Sequence, residues 1–223
     1  MPNFFDYQTS GFPVPELLKR THQDSWDSIA NPGSFWSGKQ RVQIAEQSRC
    51  ARSQRSELPF NRSYPDSELP KEALEVTHTI AADAKKIDSD WARDRVAAIG
   101  SGPYVEIASI VVTVTAIDAF SEALGRGHES LPSSKAGEPS GEQISNVANI
   151  GGYIPMMDPW NGPNVGRALS LVPAANALFM SNVRHMYASS GGGFADMVWD
   201  GPLSRPQAEL LAARVSSVNE CFY

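Results

Sequence analysis

Ser204-Arg-Pro-Gln-Ala-Glu-Leu-Leu-Ala-Ala-Arg-Val-Ser-Ser-Val-Asn-Glu-Cys-Phe-Tyr223 reads as the start of a helix that carries chemistry. Ser204 can cap it, Pro206 sits in the first turn where a missing N–H costs nothing, and Gln207 completes an S-x-x-Q capping box. Leu211, Val215, Val218 and Phe222 recur at i, i+4, i+7 and i+11, which lines one apolar face. The two chemically able side chains, Glu209 and Cys221, stand twelve positions apart. At a rise of about 1.5 Å per residue an unbroken helix would separate them by roughly 18 Å, so they share a site only if the chain turns between them. Asn219 is the expected break, because Asn tolerates the left-handed conformation at a helix end and also caps a following helix. Cys221 would then lie near a new helix N-terminus, where partial positive charge favours thiolate. The alternative is one unbroken core helix with a buried, inert Cys and a solvated Glu.

The run Glu209-x5-Val215-x3-Asn219-Glu220-Cys221-Phe222-Tyr223 resembles the active-site signature of the alkylhydroperoxidase (AhpD-like)/carboxymuconolactone decarboxylase family. In peroxidase-type members a second Cys follows directly after the position of Tyr223, with a His four residues later. That makes a C-x-x-C-x-x-x-H motif, with the upstream Glu as proton relay. The chain matches the Glu, the Asn and the first Cys, and stops one residue short of the second. The close match covers about twenty residues; weaker similarity to two-domain members extends over much of the rest.

The resemblance implies an all-α fold: an AhpD-like bundle of two related helical modules, the second incomplete. It also implies that the absent second Cys attacks a hydroperoxide and becomes a sulfenic acid. Cys221 condenses with it to a disulfide, and a dithiol donor reduces the pair. Glu209 shuttles the proton through a water and the absent His. Catalytic duty thus falls on Cys221 and Glu209, with no cofactor and no metal expected. The stop at Tyr223 fits a fragment, a natural truncation, or a UGA codon read as selenocysteine, since UGA differs from either Cys codon by one base. A homo-oligomer is expected, because family sites are built at helical interfaces. A non-catalytic helical assembly or binding subunit is the competing reading. Lactone decarboxylation is disfavoured by Asn-Glu-Cys.

The 223 residues suffice for one large domain or two small ones, and 41% hydrophobic with 20% charged residues is a globular balance. A net charge of −6 argues against a nucleic-acid footprint. Arg41, Arg49, Arg52, Arg55 and Arg62 cluster but are interleaved with Glu46, Glu57 and Asp66, which predicts a solvated helix face. Two cysteines, Cys50 and Cys221, make neither a disulfide framework nor a zinc spacing. The N-terminus shows no signal peptide, and Ile107 to Phe120 is too short for a bilayer and contains Asp118. A reducing cytoplasm and no membrane partner are the expectation.

Three regions are expected: an N-terminal module over 1–125, a Gly/Pro/Ser-rich linker over 126–165, and the start of a second module over 166–223. Residues 1–40 read as an extended lead with a short helical piece at Glu16–Arg20 and packing anchors at Phe35 and Trp36. Helices are expected over Arg41–Glu57, from Pro70 to about Asp83, from Asp88 or Ser89 to Ile99, and over Tyr104–Leu124, with Gly100 and Gly102 as stops. A further helix begins at Asn164 or Val165, breaks at Pro173 and resumes over Ala174–Tyr187. Gly191–Gly193 read as a joint and Phe194–Trp199 as an apolar patch. Two-domain members of the resembled family carry a C-x-x-C at the end of the equivalent of Arg41–Glu57. Here Cys50-Ala-Arg-Ser53 offers one thiol, and a buried structural Cys is expected. His78 reads as a core or boundary histidine, and His185 as a surface or structural residue, with an approach to Cys221 as the alternative. Offset by 103 residues, Glu106 aligns with Glu209, Val112 with Val215 and Asp118 with Cys221, a faint internal repeat.

Overall fold

The computed structural model describes residues 4–8, 11–54, 67–187 and 202–219. Among them the fold is all-α, with eight α-helices and one two-residue antiparallel ribbon. The chain divides into two compact units, Met1–Asn182 and Val183–Tyr223, and not within 126–165.

In the larger unit, α1 (Glu16–Ala30) runs ten residues beyond the short piece expected. Its buried face is Leu18, Thr21, His22, Ser25, Trp26 and Ile29. The spacing is helical, but half of that stripe is polar, so hydrophobicity alone does not show it. Helix α2 (Gly38–Ser53) starts at a capping box that pattern reading passed over: Ser37 Oγ accepts from Gln40 N, and Gln40 Oε1 accepts from Ser37 N. Such a cap contributes about 1 kcal/mol. Helix α3 (Lys71–Ala82) has Pro70 as its N-cap, and α4 (Ser89–Ile99) is capped by Asp88, whose carboxylate accepts from Trp91 N at 2.8 Å. Gly100, at φ 91°, joins α4 to α5 (Ser101–Ala123). Gly102 is no stop. It lies in the first turn of α5, where a Cβ would strike the Phe35 ring.

Helices α2, α3 and α5 pack on one another around Ile44, Ala45, Ala73, Val76, Ile110 and Val114. By length and composition α5 could cross a membrane. Yet it packs against α1 to α4 and buries Glu106 and Asp118 in ion pairs, as the central helix of a soluble bundle does. The N-terminal lead closes over α1. Phe5 stands edge-on to Trp26 at 4.9 Å, and its backbone N–H donates to Glu129. Phe5 and Tyr7 hold φ of 59° and 52°, costly for side-chain-bearing residues and held by full burial.

Residues 126–163 are irregular apart from β1 (Val147–Ala148) and β2 (Met156–Met157). They are nonetheless tied to the helices: Lys135 N donates to Ala30 O, Ser140 N to Gly33 O, and Ile144 N to Leu171 O. Trp26 Nε1 donates to Ser130 O. A long loop that would otherwise cost ordering entropy is held by these backbone bonds. Beyond it lie α6 (Asn164–Arg167) and α7 (Pro173–Tyr187); the break falls over residues 168–172, and Pro173, where the interruption was expected, is the first residue of α7. Helix α7 is fastened by Ser109 Oγ donating to Ala175 O and Asn182 Nδ2 donating to Ser25 Oγ.

The second unit takes the end of α7 from Val183 and all of α8 (Arg205–Val218). Ser204 is its N-cap, its backbone N–H donating to Gln207 Oε1 at 2.8 Å, with Pro206 in the first turn. The expected joint at Gly191–Gly193 and patch at Phe194–Trp199 lie outside the described residues.

Candidate functional site

Glu209 sits in the second turn of α8, half-exposed. Tyr187 Oη donates to its Oε2 at 2.6 Å, and Arg205 Nε stands 3.5 Å from Oε1, one turn earlier. The bond to a carboxylate pushes the Tyr187 phenol above its ordinary range, so it stays a donor. α8 ends at Val218, and Asn219 is its C-cap at φ −85°, ψ 4°, which is not the left-handed conformation expected of it. Cys221 and Phe222 lie outside the described residues. The expected apolar face is exposed at Leu211, Val215 and Val218, as is Leu210 beside it.

The segment that echoes α8 behaves differently. Glu106 is 1% exposed, accepts from Phe35 N at 2.7 Å and pairs with the Arg41 guanidinium. α5 runs unbroken past Asp118, at the position aligned with Cys221. A carboxylate in that setting is a structural anchor.

The arginines are not a solvated face. Arg41 is buried against Glu106, while Arg49 reaches Asp118 with two bonds, Nε to Oδ2 at 2.9 Å and Nη2 to Oδ1 at 2.7 Å. Arg49 also donates to Glu129 O and stacks over the Trp26 ring. Arg52 lies 3.7 Å from both Asp118 and Glu122. The missed signal was spacing: Arg49 and Arg52 share one face of α2, Asp118 and Glu122 one face of α5, and opposite charges on facing helices pair. Arg55 and Arg62 lie outside the described residues.

This pairing frames a cleft of about 660 Å³ lined by Arg49, Cys50, Arg52, Ser53, Glu122 and His128. Cys50 is a free, half-buried thiol on its wall, so it is not the sealed core residue expected. Ser53, where a second sulfur might have stood, donates its hydroxyl to Cys50 O at 2.8 Å. His128 Nε2 is 2.6 Å from Glu122 Oε1. A carboxylate only accepts, so Nε2 is assigned the proton, while Nδ1 lies 3.8 Å from Asp118 Oδ2. The same bond, aided by Arg52, holds the Glu122 carboxyl below its ordinary range. His128 and Glu122 went unremarked in the sequence, since His128 follows 78 residues after Cys50.

No family model, curated protein or solved structure matches this chain.

Among the described residues no group of three or more His, Cys, Asp or Glu side chains could hold a metal. His78 is a core histidine, bonded to Gln47 Oε1 across α2 and α3 at 2.8 Å. His185 is on α7, half-exposed. What the structure brings together is therefore Glu209 with Tyr187 in one unit, and Cys50 with Glu122 and His128 in the other.

Proposed function

We propose that the protein is a peroxidase-related thiol oxidoreductase, AhpD-like in its C-terminal chemistry. It would reduce hydroperoxides in a reducing cytoplasm, with Cys221 as one sulfur of a two-chalcogen site and Glu209 as the proton relay. A dithiol restores the site. The observation that carries this reading is the end of α8. The helix stops at Val218, three residues before Cys221, while Glu209 is held by Tyr187 as an oriented carboxylate. A continuous rod would keep the carboxylate and the thiol roughly 18 Å apart, and α8 carries the chain about 13.5 Å past Glu209 before it stops, so the reading requires the chain after Val218 to turn back towards Glu209. A general base oriented by a second group is the usual arrangement for moving a proton to or from a sulfur nucleophile.

In the reaction the attacking chalcogenolate takes the distal peroxide oxygen and the alcohol leaves with a proton relayed from Glu209. Cys221 then displaces water from the sulfenic acid to form the disulfide, which the dithiol reduces. The test is dithiol-dependent loss of hydroperoxide by protein made from its natural reading frame. Activity that disappears with Cys221→Ser supports the reading; its absence in the unmodified protein removes it.

A second reading, a helical assembly subunit, is favoured by the exposed Leu210, Leu211, Val215 and Val218 on one helix. Contiguous apolar exposure of this kind marks association surfaces. A second copy of the chain would cover it. In that case Leu211→Lys with Val215→Lys yields a smaller species in light scattering, and no hydroperoxide is consumed by either protein.

A further inference from the structure

We propose that the N-terminal lead over residues 4–8 is an acid-released plug: protonation of His22 frees Phe5 and Tyr7 from α1 and α5 while the helices stay packed. Neither Cys221 nor Glu209 enters the argument, since every residue it uses belongs to the larger unit.

The lead supplies much of what keeps water from His22. Among the described residues three rings pack on the imidazole: Phe5 at 5.5 Å, Tyr7 at 6.0 Å and Phe120 at 5.4 Å, centroid to centroid. Two of the three belong to the lead. Tyr7 Oη stands 2.7 Å from Nδ1, and the buried Nε2 has no hydrogen-bond partner among the described residues. A protonated ring has two N–H donors. Tyr7 Oη can accept one of them; the other is then a charged donor sealed among aromatic rings, far costlier than a neutral one. Lifting the lead removes two of the three rings and lets water reach the nitrogen.

The lead is also lightly held compared with the helix beneath it. Phe5 and Tyr7 carry left-handed backbone at φ 59° and 52°, a strain relieved on release. Against that stand the burial of their two rings, the bond from Phe5 N to Glu129 Oε1 at 3.1 Å and the bond from Gln23 Nε2 to Phe4 O at 2.8 Å. Helix α1 keeps its own ties when the lead is gone: Trp26 Nε1 to Ser130 O, Asn182 Nδ2 to Ser25 Oγ, and Arg41 Nη2 to Ser28 O.

The charged groups around the plug are engaged elsewhere. Asp118 of α5 is bonded to Arg49 of α2, Arg126 stands over the Tyr7 ring at 6.0 Å, and Glu129 accepts from Phe5 N. Lys19, one turn earlier on α1, faces Glu16, and α7 presents the neutral Asn182. Among the described residues none of them bonds to the His22 ring, and burial alone pulls its pKa from 6.5 to about 4. A depressed histidine pKa favours the docked lead fully above about pH 6.5, and that preference is lost as pH falls towards 4. With the ring restored to 6.5 once the lead is off, the equilibrium constant for release rises about twentyfold between pH 7 and pH 5.

Native-state hydrogen exchange on the full chain reads that constant even when little of the protein is open. The Phe5 amide should exchange through the lead's own opening, with protection at least about tenfold below that of Val114 in the middle of α5 at both pH values. After correction for intrinsic rates, Phe5 protection should fall about twentyfold from pH 7 to pH 5, and in His22→Gln that fall should vanish. A second full-length variant, Phe5→Ala with Tyr7→Ala, keeps the lead undocked, and its His22 resonance should titrate near 6.5 in place of about 4. Phe5 protection that equals that of Val114, that does not change with pH, or that falls as far in His22→Gln overturns the proposal. So does a His22 that still titrates near 4 in the double variant.

Discussion

Arg41 and Glu106 stand 65 residues apart and meet in the core as an ion pair, with the arginine 5% and the glutamate 1% exposed. The second glutamate oxygen accepts from Phe35 N, and Arg41 Nη2 donates to Ser28 O at 3.3 Å, so one pair ties α1, α2, α5 and the 31–37 turn together. Breaking such a pair strands a buried charge, which costs about 3–5 kcal/mol. Arg41→Met should destabilise the larger unit by that amount in urea unfolding. Arg41→Met with Glu106→Gln should recover much of it, because the stranded charge is gone. Equal losses in the single and double variants would contradict this.

Gly33 lies against that pair. A Cβ there would land on Glu106 Oε1 and Arg41 Nη1, both buried and already bonded, so neither can swing away. Gly33→Ala should cost about 1–3 kcal/mol as an overpacking change, seen as a lowered midpoint at unchanged m-value. A variant as stable as the parent would show that the pair can yield.

His22 gives the larger unit a pH limit. It is fully buried, 2.7 Å from Tyr7 Oη, and burial pulls its pKa down from 6.5 to about 4. The unfolded chain therefore binds a proton at this ring before the folded one does. Its contribution is complete above about pH 6.5 and is lost as pH falls towards 4, to a total on the order of 3 kcal/mol. Tyr7, pushed up to about 12 by burial, stays a neutral phenol throughout. Urea unfolding at pH 7 and pH 4.5 should show the loss, and His22→Gln should shrink it. An undiminished loss in His22→Gln would place the acid sensitivity elsewhere.

Tyr187 acts through Glu209. Tyr187→Phe removes the bond at 2.6 Å while leaving α8 its cap, so helix content should hold. On the proposed chemistry turnover of hydroperoxide should fall about tenfold, as a loss of orientation and not of the proton carrier itself. An unchanged rate would mean that Glu209 needs no positioning.

The helical frame was legible in the sequence wherever a cap or a stop was local. Ser204 with Gln207, Asp88, Gly100 and Pro173 all mark ends that the chain adopts. What local pattern does not carry is pairing between distant segments. Arg41 and Arg49 look like solvated charges until Glu106 and Asp118 are brought against them, and α1 hides its buried face behind Thr21, His22 and Ser25. The loop over 126–165 has a linker's composition, yet its order comes from backbone bonds to Ala30, Gly33 and Leu171, which composition does not encode. The same limit applied at the cleft. Cys50 was visible, while Glu122 on α5 and His128 in the loop after it come to line the same cleft only when α2 packs on α5.

The proposed chemistry is tested most directly by dithiol-dependent consumption of hydroperoxide, using protein from the natural reading frame beside Cys221→Ser and Glu209→Gln. The account predicts turnover in the parent, none in Cys221→Ser, and a loss of at least about a hundredfold in Glu209→Gln. No turnover in the parent, or turnover that survives Cys221→Ser, would contradict it.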